Sequence, residues 1–377
     1  MLHRILFPAL LALLAQPLTA QTGWTTLGRF LTSSNPSFLA TDGVHVLGSD
    51  AFASPTATVF RYEAGALVDQ QFLGKSISPS IGWGPGAVAD GWCALAWSSG
   101  GLVDLFEETA TGWVLRQTLS DPTVGGGYGE ALAFGPGTLV VGDSASAAGE
   151  ASEVHVYSLS AGTWTLAQTL DGPGSASVDD GFGRALALDG ARLAVGAPLW
   201  RGVGSAFVYE RSSGAFVGVR EIEGSNMDFG AALALRADVL LVGAGRTHGL
   251  PGTVQFFERN VEGSWRLVHE LEDPDGTSFS QFGSSLALGP GVAAVAAPHA
   301  PGLGDAKIYL FHRLGSRWVR SGTAVARPTR TRLGAGMAFV RQELIATADA
   351  LLNFGEISLF GPSFVLSSPA ARPATSR

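Results

Sequence analysis

One short unit recurs along this chain and limits what the chain can fold into. Its clearest copy, residues 182–198, reads FGRALALDGARLAVGAP: a Phe-Gly opening, two apolar runs around an Asp-Gly turn, and a Gly-Ala-Pro end. Seven copies follow one another at intervals of 45 to 54 residues, counted at the opening glycine or the residue in its place: Pro36, Gly84, Gly129, Gly183, Gly230, Gly283 and Gly334. Short apolar runs at a period near 50 residues predict repeated β-sheets rather than helical repeats.

Each unit divides into four predicted strands. In the clearest copy the first two strands, 185–188 and 192–196, flank Asp189-Gly190, a pair that tolerates positive φ and closes hairpins. The third strand is 206–209, and fourth strands begin with a large residue after a glycine turn, as at Gly162-Thr163-Trp164. The predicted fold is therefore all-β, a seven-bladed β-propeller with four-stranded blades.

The last unit lacks an outer strand in its expected place. It ends after its third strand, 356–360, whereas the N-terminal segment 23–27 reads GWTTL and resembles GTWTL at 162–166. We expect the N-terminal segment to supply the outer strand of the last blade, which closes the ring and removes exposed strand edges. The alternative is that residues 23–31 are a loose leader.

The two ends of the chain differ in composition from the repeats. Residues 1–20 have a short positive start, an apolar run and a small residue before Gln21, which is typical of a cleaved signal peptide. The alternative, a membrane anchor, is disfavoured because the run is shorter than the roughly 20 residues needed to span a bilayer. We expect a secreted, periplasmic or cell-surface protein, with the propeller at 21–361 and a flexible Pro/Ala/Ser-rich tail at 362–377.

Composition excludes several classes of protein. Glycine accounts for 51 of 377 residues, charged residues for 15%, and the net charge is −8. This chain has enough apolar surface to fold, and it lacks the basic clusters of a nucleic-acid-binding protein. Cys93 is the single cysteine and lies in a strand-like run, so we expect a buried, unreactive thiol.

Phe182-Gly183 together with Gly196-Ala197-Pro198 resembles the FG-GAP repeat family, whose blade unit also occurs in the integrin α-subunit head. The Trp-bearing fourth strand is most similar to the bacterial exported branch. The resemblance covers residues 23–360 and implies a seven-bladed propeller that acts in adhesion, recognition or surface assembly. Integrin-like members carry a calcium loop between the first two strands, but the corresponding turns here, such as Asp189-Gly190 and 289–291, lack the oxygen ligands that calcium needs.

We therefore expect no calcium in these turns, and no other metal or cofactor. Two acidic segments, Asp179-Asp180 and 273–276, precede opening glycines. They are interpreted as polar turn residues between blades, with an isolated metal loop as the alternative.

No motif in the sequence carries recognisable catalytic chemistry. The predicted inner strands hold no paired carboxylates, and no zinc-protease, P-loop or nucleophile-elbow pattern occurs. The protein is thus predicted not to be an enzyme. The alternative is a hydrolase or lyase with an unrecognised site on one propeller rim.

The loops between second and third strands fall on one face if the blades are equivalent. These loops, 143–152, 199–204, 245–252 and 297–305, carry the candidate binding residues Trp200, Arg201, Arg246, His248 and His299. Aromatic and basic groups suit a protein or glycan partner at the cell surface. Ordinary loop decoration and a two-histidine metal site remain alternatives.

These patterns together predict an exported, non-catalytic binding, adhesion or surface-assembly module. We expect a monomer that binds no nucleic acid and has no membrane span after signal cleavage.

Overall fold

The structure, a computed structural model of the chain, describes residues 19–21, 24–32, 36–50, 57–73, 83–97, 101–122, 127–144, 151–174, 179–245, 251–276, 280–298, 305–315, 317–325, 333–334, 336–340, 343–349 and 355–362. The strands in these ranges form seven antiparallel sheets, six of four strands and one of five. We number the sheets in chain order and number the strands of each sheet from the innermost outwards.

Sheet 1 contains Pro36–Thr41, His45–Asp50, Ala57–Glu63 and Ala66–Leu73; sheet 2 contains Trp83–Ala89, Trp92–Trp97, Leu102–Thr109 and Gly112–Ser120; sheet 3 contains Tyr128–Gly135, Thr138–Asp143, Glu153–Ser160 and Thr163–Asp171. Sheet 4 contains Ala185–Asp189, Arg192–Ala197, Ser205–Ser212 and Ala215–Glu223; sheet 5 contains Ala232–Arg236, Val239–Ala244, Thr253–Arg259 and Trp265–Glu272. Sheet 6 contains Leu286–Gly289, Val292–Ala297, Lys307–Leu314 and Arg317–Val325, with Thr19–Gln21 outside them; sheet 7 contains Met337–Val340, Glu343–Asp349, Gly355–Pro362 and Trp24–Thr32.

The sheets are arranged around a common axis. Their first strands contact one another in the order of sheets 1 to 7, and the first strand of sheet 7 contacts that of sheet 1. In sheet 7, Trp24–Thr32 pairs antiparallel with Gly355–Pro362, and Thr26 lies opposite Phe360. The prediction of an all-β propeller with four-stranded antiparallel blades is confirmed.

Tight hairpins join first strands to second strands because their turn residues adopt positive φ. In sheet 2 the loop is Asp90-Gly91, with φ values of 52° and 74°, which match the turn that best continues the twist of a hairpin. In sheet 4, Asp189 pairs with Arg192, so the two-residue loop begins at Gly190, whose φ is 60°. The predicted Asp-Gly turn is thus found at Asp90-Gly91, whereas in sheet 4 the turn lies one residue later than predicted, because Asp189 is the last paired residue of the first strand.

Within the described ranges, seven apolar clusters fill the spaces between neighbouring sheets. The residue before the opening glycine is buried in each described copy where its side chain is placed: Tyr128, Phe182, Phe229, Phe282 and Leu333. Cys93 is fully buried between sheets 1 and 2, and burial raises the pKa of its thiol, as expected for an unreactive cysteine.

The two glycines of the repeat contact each other across the gap between sheets. A Cβ added to Gly196, in the second strand of sheet 4, would lie closer than 3.0 Å to the carbonyl oxygen of Gly230, which opens the sheet 5 unit. Gly142 and Gly243 stand in the same relation to the opening glycines of sheets 4 and 6. The backbones approach so closely at these three places that no side chain fits, which explains why a glycine near the end of the second strand accompanies the opening glycine of the next unit there.

A second repeated contact joins the outer strands. The side chain of Gln117 in sheet 2 donates to the carbonyl oxygen of Trp164 in sheet 3 at 2.8 Å and accepts from its N–H at 2.9 Å. Gln71 makes the same pair of hydrogen bonds to Trp113, and Gln168 makes it to Phe216. Each glutamine forms hydrogen bonds with both the N–H and the carbonyl group of an aromatic residue in the next sheet. These contacts link sheets 1 to 4 at their outer edge.

We predict that Gly196→Ala destabilises the protein by about 1–3 kcal/mol, because the added methyl group forces sheets 4 and 5 apart. The midpoint of urea unfolding measures this effect. Gly190→Ala is the control for the steric effect: no atom lies within 4 Å of its added Cβ, and the methyl group is opposed only by a positive φ, which Gly196 does not have. The control therefore costs only the backbone strain, about 1 kcal/mol. An unfolding midpoint for Gly196→Ala equal to that of the unsubstituted protein would contradict the prediction.

Candidate functional site

The antiparallel order of each sheet sends its loops to two opposite faces. Loops between second and third strands, and loops that lead from one sheet to the next, lie on one face, which we call the rim. The opposite face carries the first-to-second and third-to-fourth turns, and we call it the hairpin face. Of the predicted site residues, Trp200 and Arg201 lie on the rim, whereas Arg246, His248 and His299 lie outside the described residues.

Trp200 and Arg201 lie on a short 3-10 turn, Trp200–Gly202, between the second and third strands of sheet 4. The indole nitrogen of Trp200 donates to Glu221 Oε1 at 3.0 Å, and the hydroxyl of Ser205 donates to the same oxygen at 3.0 Å. The guanidinium of Arg201 lies 5.1 Å from the centre of the Trp200 ring and 3.1 Å from a carboxylate oxygen of Glu223. The indole is thus held half-buried, and the more exposed Arg201 covers it.

The backbone of this turn is strained. Arg201 has φ 52° and ψ 18°, a left-handed conformation that costs a residue with a side chain about 1–2 kcal/mol. Hydrogen bonds from Gly202 N–H to the Leu199 carbonyl and from Gly204 N–H to the Trp200 carbonyl hold the turn in this shape. Strained conformations of this kind concentrate at functional sites.

Solvent-exposed apolar side chains lie around the turn. Leu199 is 39% exposed, Val203 is 37% exposed and Met227, on the loop that leads to sheet 5, is 51% exposed. That loop runs beside the turn, since Phe229 N–H donates to the carbonyl of Val203 at 3.3 Å. We call Leu199, Trp200, Arg201, Val203 and Met227 the sheet-4 rim patch.

A second group on the rim was missed by the sequence analysis. Asp121, Asp143 and His155 each bring one ligand atom within 4.8 Å of the others. His155 Nε2 lies 3.3 Å from Asp143 Oδ2 and 3.6 Å from Glu153 Oε2. We call these four residues the sheet 2–3 cluster, since Asp121 follows the last strand of sheet 2 and the others belong to sheet 3. The sequence signal for these four residues is weak, because it consists only of their positions at or near the ends of strands.

The acidic turns before the opening glycines act as polar turn residues. Asp180 is buried and accepts hydrogen bonds from the N–H groups of Gly174 and Phe182, both at 2.9 Å. Asp275 is bound by Lys307 and accepts from the Tyr309 hydroxyl, and hydrogen bonding to Lys307 lowers the pKa of this carboxyl. These contacts favour the turn interpretation over a metal loop.

The hairpin face carries a cavity of about 530 Å³ among the first-to-second-strand turns of sheets 1 to 4. His45 lines it and joins two sheets: its Nδ1 lies 3.1 Å from Asp42 Oδ2 in sheet 1, and its Nε2 lies 3.3 Å from Glu108 Oε1 in sheet 2. Hydrogen bonding to Asp42 raises the pKa of His45 despite the opposing effect of burial. The described polar groups of this cavity thus include the His45–Asp42 ion pair, which stabilises the first-to-second-strand turn of sheet 1.

No family model matches the sequence, and no curated protein matches it. Among solved structures, the WD40 domain of a coronin from Toxoplasma gondii is similar with a TM-score of 0.56 and 9% identity, over 92% of this chain and 87% of that chain. A protein from Lactobacillus plantarum is similar with a TM-score of 0.54 and 17% identity, over 79% of this chain and 90% of that chain. At these identities the likeness is one of fold, and the protein is a β-propeller with WD40-like structural neighbours.

The FG-GAP resemblance stays a prediction. Propellers commonly serve as binding or scaffold modules, but one fold supports many functions. No helix among the described residues is long and apolar enough to cross a membrane.

We predict that the contribution of His45 to stability depends on pH. Because its folded pKa lies above the usual value of 6.5, the stabilisation is fully present below about pH 6.5 and is lost as pH rises through the folded pKa. His45→Gln should therefore lower the urea midpoint more at about pH 5.5 than at about pH 9. His269→Gln, which changes a histidine outside this ion pair, is the control. Equal losses for His45→Gln at both pH values would refute the prediction.

Proposed function

We propose that this chain is an exported, non-catalytic propeller of the FG-GAP type that binds a protein partner through the sheet-4 rim patch. The observation that carries the proposal is the exposure of Leu199, Val203 and Met227 around a strained turn. Exposed apolar side chains that cluster beside charged ones are typical of protein interaction sites. Loops on a rigid scaffold are also where propellers and other repeat folds place recognition.

The chemistry of the patch supports a protein partner rather than a glycan. Arg201 covers the Trp200 ring, and the side chain also packs against the apolar cluster between sheets 3 and 4, so the ring is not open for sugar stacking. Arg201 is 54% exposed, and its partner Glu223 is 71% exposed, so a carboxylate of an incoming protein can replace Glu223 with little cost. The surface that fits this patch is therefore apolar with an acidic group beside it.

A rim that presents loops for binding needs a scaffold that does not open. We propose a ring of seven blades in which the N-terminal strand serves as the outer strand of the last blade. The pairing of Trp24–Thr32 with Gly355–Pro362 supports this. Removal of residues 1–20 on export leaves that strand intact, although it removes two of the three residues of the small strand Thr19–Gln21.

The described cavity on the hairpin face supports binding over catalysis. Asp42 is engaged by His45, and Asp189 accepts a hydrogen bond from the N–H of Ala237 in the next sheet. Acid–base chemistry needs carboxylates placed to exchange protons with a substrate, whereas these two hold turns in place. No specific observation favours the alternative of a hydrolase or lyase on the rim.

We expect a photoreactive phenylalanine analogue at Met227 to form a covalent adduct with a protein partner in the cells that make this chain. The analogue at Leu314 is the control, because Leu314 is also exposed but lies at a third-to-fourth-strand turn on the hairpin face. Adducts are detected by electrophoresis and identified by mass spectrometry.

Competition tests whether the adduct reports the patch. Excess unsubstituted protein should suppress the adduct, whereas an equally folded Leu199→Glu/Val203→Glu variant should not, because charge at the centre of an apolar interface costs several kcal/mol, roughly a hundredfold in affinity. Adducts at Leu314 alone, or suppression by both competitors, would reject the sheet-4 rim patch as the binding site.

We predict that the mature chain begins at Gln21. Mass spectrometry of the protein isolated from its native cells measures this directly. A chain that retains Met1 would reject export by a cleaved signal peptide. A mature N-terminus beyond residue 32 would reject the proposed ring closure, because Trp24–Thr32 would be absent.

A further inference from the structure

Carboxylates meet across three strands at the rim end of sheet 3. Asp143 lies opposite Glu153, and Glu153 lies opposite Asp171, on the second, third and fourth strands. Directly opposite residues of an antiparallel pair project from the same face of a sheet, and like charges in these positions are destabilising. This arrangement favours a cation that compensates the charge.

His155 lies on the same face, since it is two residues after Glu153. Its imidazole is buried, and its Nδ1 lies 3.2 Å from the hydroxyl oxygen of Thr169. When Nδ1 donates to this hydroxyl, Nε2 keeps a lone pair that faces Asp143 and Glu153. Histidines that bind metals are held in this way, with the second ring nitrogen donating to a fixed acceptor.

A proton on His155 Nε2 can form a hydrogen bond to only one of the carboxylate oxygens in this cluster. It points at one acceptor, and Asp143 Oδ2 is the nearer at 3.3 Å. Glu153 Oε2 is a buried atom that accepts no hydrogen bond, although the rest of that side chain reaches the surface. A cation that coordinates several oxygens at once accounts for these groups better than a single proton.

His45 provides the contrast within the same molecule. Both of its ring nitrogens face carboxylates, Asp42 on one side and Glu108 on the other. When both ring nitrogens of His45 carry a proton, each donates to one carboxylate, so a protonated histidine accounts for both contacts. His155 has a hydroxyl on one side and several carboxylates on the other.

We propose that Asp121, Asp143 and His155, with Glu153, bind a divalent transition-metal ion of the Zn²⁺ or Mn²⁺ type. Mixed imidazole and carboxylate donors are the ligands such ions prefer, whereas Ca²⁺ takes six or more oxygens. Three atoms within 4.8 Å of one another surround a point roughly 2.8 Å from each, so small side-chain rotations bring them to metal–ligand distance.

The metal ion links two blades. Asp121 follows the fourth strand of sheet 2, where its N–H donates to the carbonyl of Gly101, and the other three ligands belong to sheet 3. The site lies above the apolar cluster that packs Tyr128 and Tyr157 between these sheets. Binding therefore fastens the rim end of the sheet 2–3 interface and stabilises the folded state.

The test uses the full chain after treatment with a chelator and dialysis. Titration calorimetry with ZnCl₂ should show one site, and saturating Zn²⁺ or Mn²⁺ should raise Tm by about 2–5 °C, while Ca²⁺ at the same concentration should not. Co²⁺ serves as the spectroscopic probe, because its visible d–d absorption changes when protein ligands replace water in its coordination sphere. His155→Gln should weaken binding ten-fold or more and abolish the change in Co²⁺ absorption, and Asp121→Asn should weaken binding.

His269→Gln is the matched control, a histidine of sheet 5 outside the cluster, and should bind as the unsubstituted chain does. Because His155→Gln removes a buried group, Asp121→Asn and Glu153→Gln, whose side chains reach the surface, decide the outcome if that variant fails to fold. The absence of binding by the unsubstituted chain would overturn the proposal. So would binding that persists in all three cluster variants, or that is lost when the loop residues His248 and His299 are both changed to Ala.

Discussion

The structure depends on a place where two backbones touch. At the end of the second strand of one sheet, a glycine faces the carbonyl oxygen of the glycine that opens the next sheet. Between sheets 3 and 4, 4 and 5, and 5 and 6 this contact leaves no room for a methyl group, whereas sheets 2 and 6 have Ala96 and Ala296 at the equivalent place. The opening glycine also needs positive φ, 90° at Gly183 and 94° at Gly230, which a residue with a side chain rarely adopts. This steric constraint thus accounts for the paired glycines that join sheets 3 to 6.

Away from the axis the sheets diverge, and different interactions hold them. Large side chains such as Phe182 and Trp164 fill the widening gap, since both are almost completely buried. At the outer edge, Gln117 and its equivalents tie the backbone of one sheet to the next. The loops on the rim supply the opening glycines of the backbone contacts. They also hold an exposed apolar patch in sheet 4 and a partly buried group of ionisable residues between sheets 2 and 3.

Much of the fold could be predicted from the sequence because it is repeated and local. The Asp-Gly turns, the apolar runs and the burial of Cys93 follow from residues close together in the chain. The glutamine contacts could have been found in the same way, because Trp113 and Gln117 are separated by four positions, as are Trp164 and Gln168. The candidate site was harder to predict from the sequence. Trp200 and Arg201 were singled out by their loop, but the partly buried state of the indole depends on Glu221, which comes from another strand.

The sequence by itself determined the repeating unit, its four strands and its tight turns, because these need only neighbouring residues and the preferences of glycine and apolar side chains. The tertiary structure alone decided which charged groups meet. Asp121, Asp143 and His155 lie on three different strands or strand ends of two sheets, and their meeting depends on strand register and on the angle between the sheets. Register and angle are set by packing across the whole ring, so no single stretch of the sequence contains them.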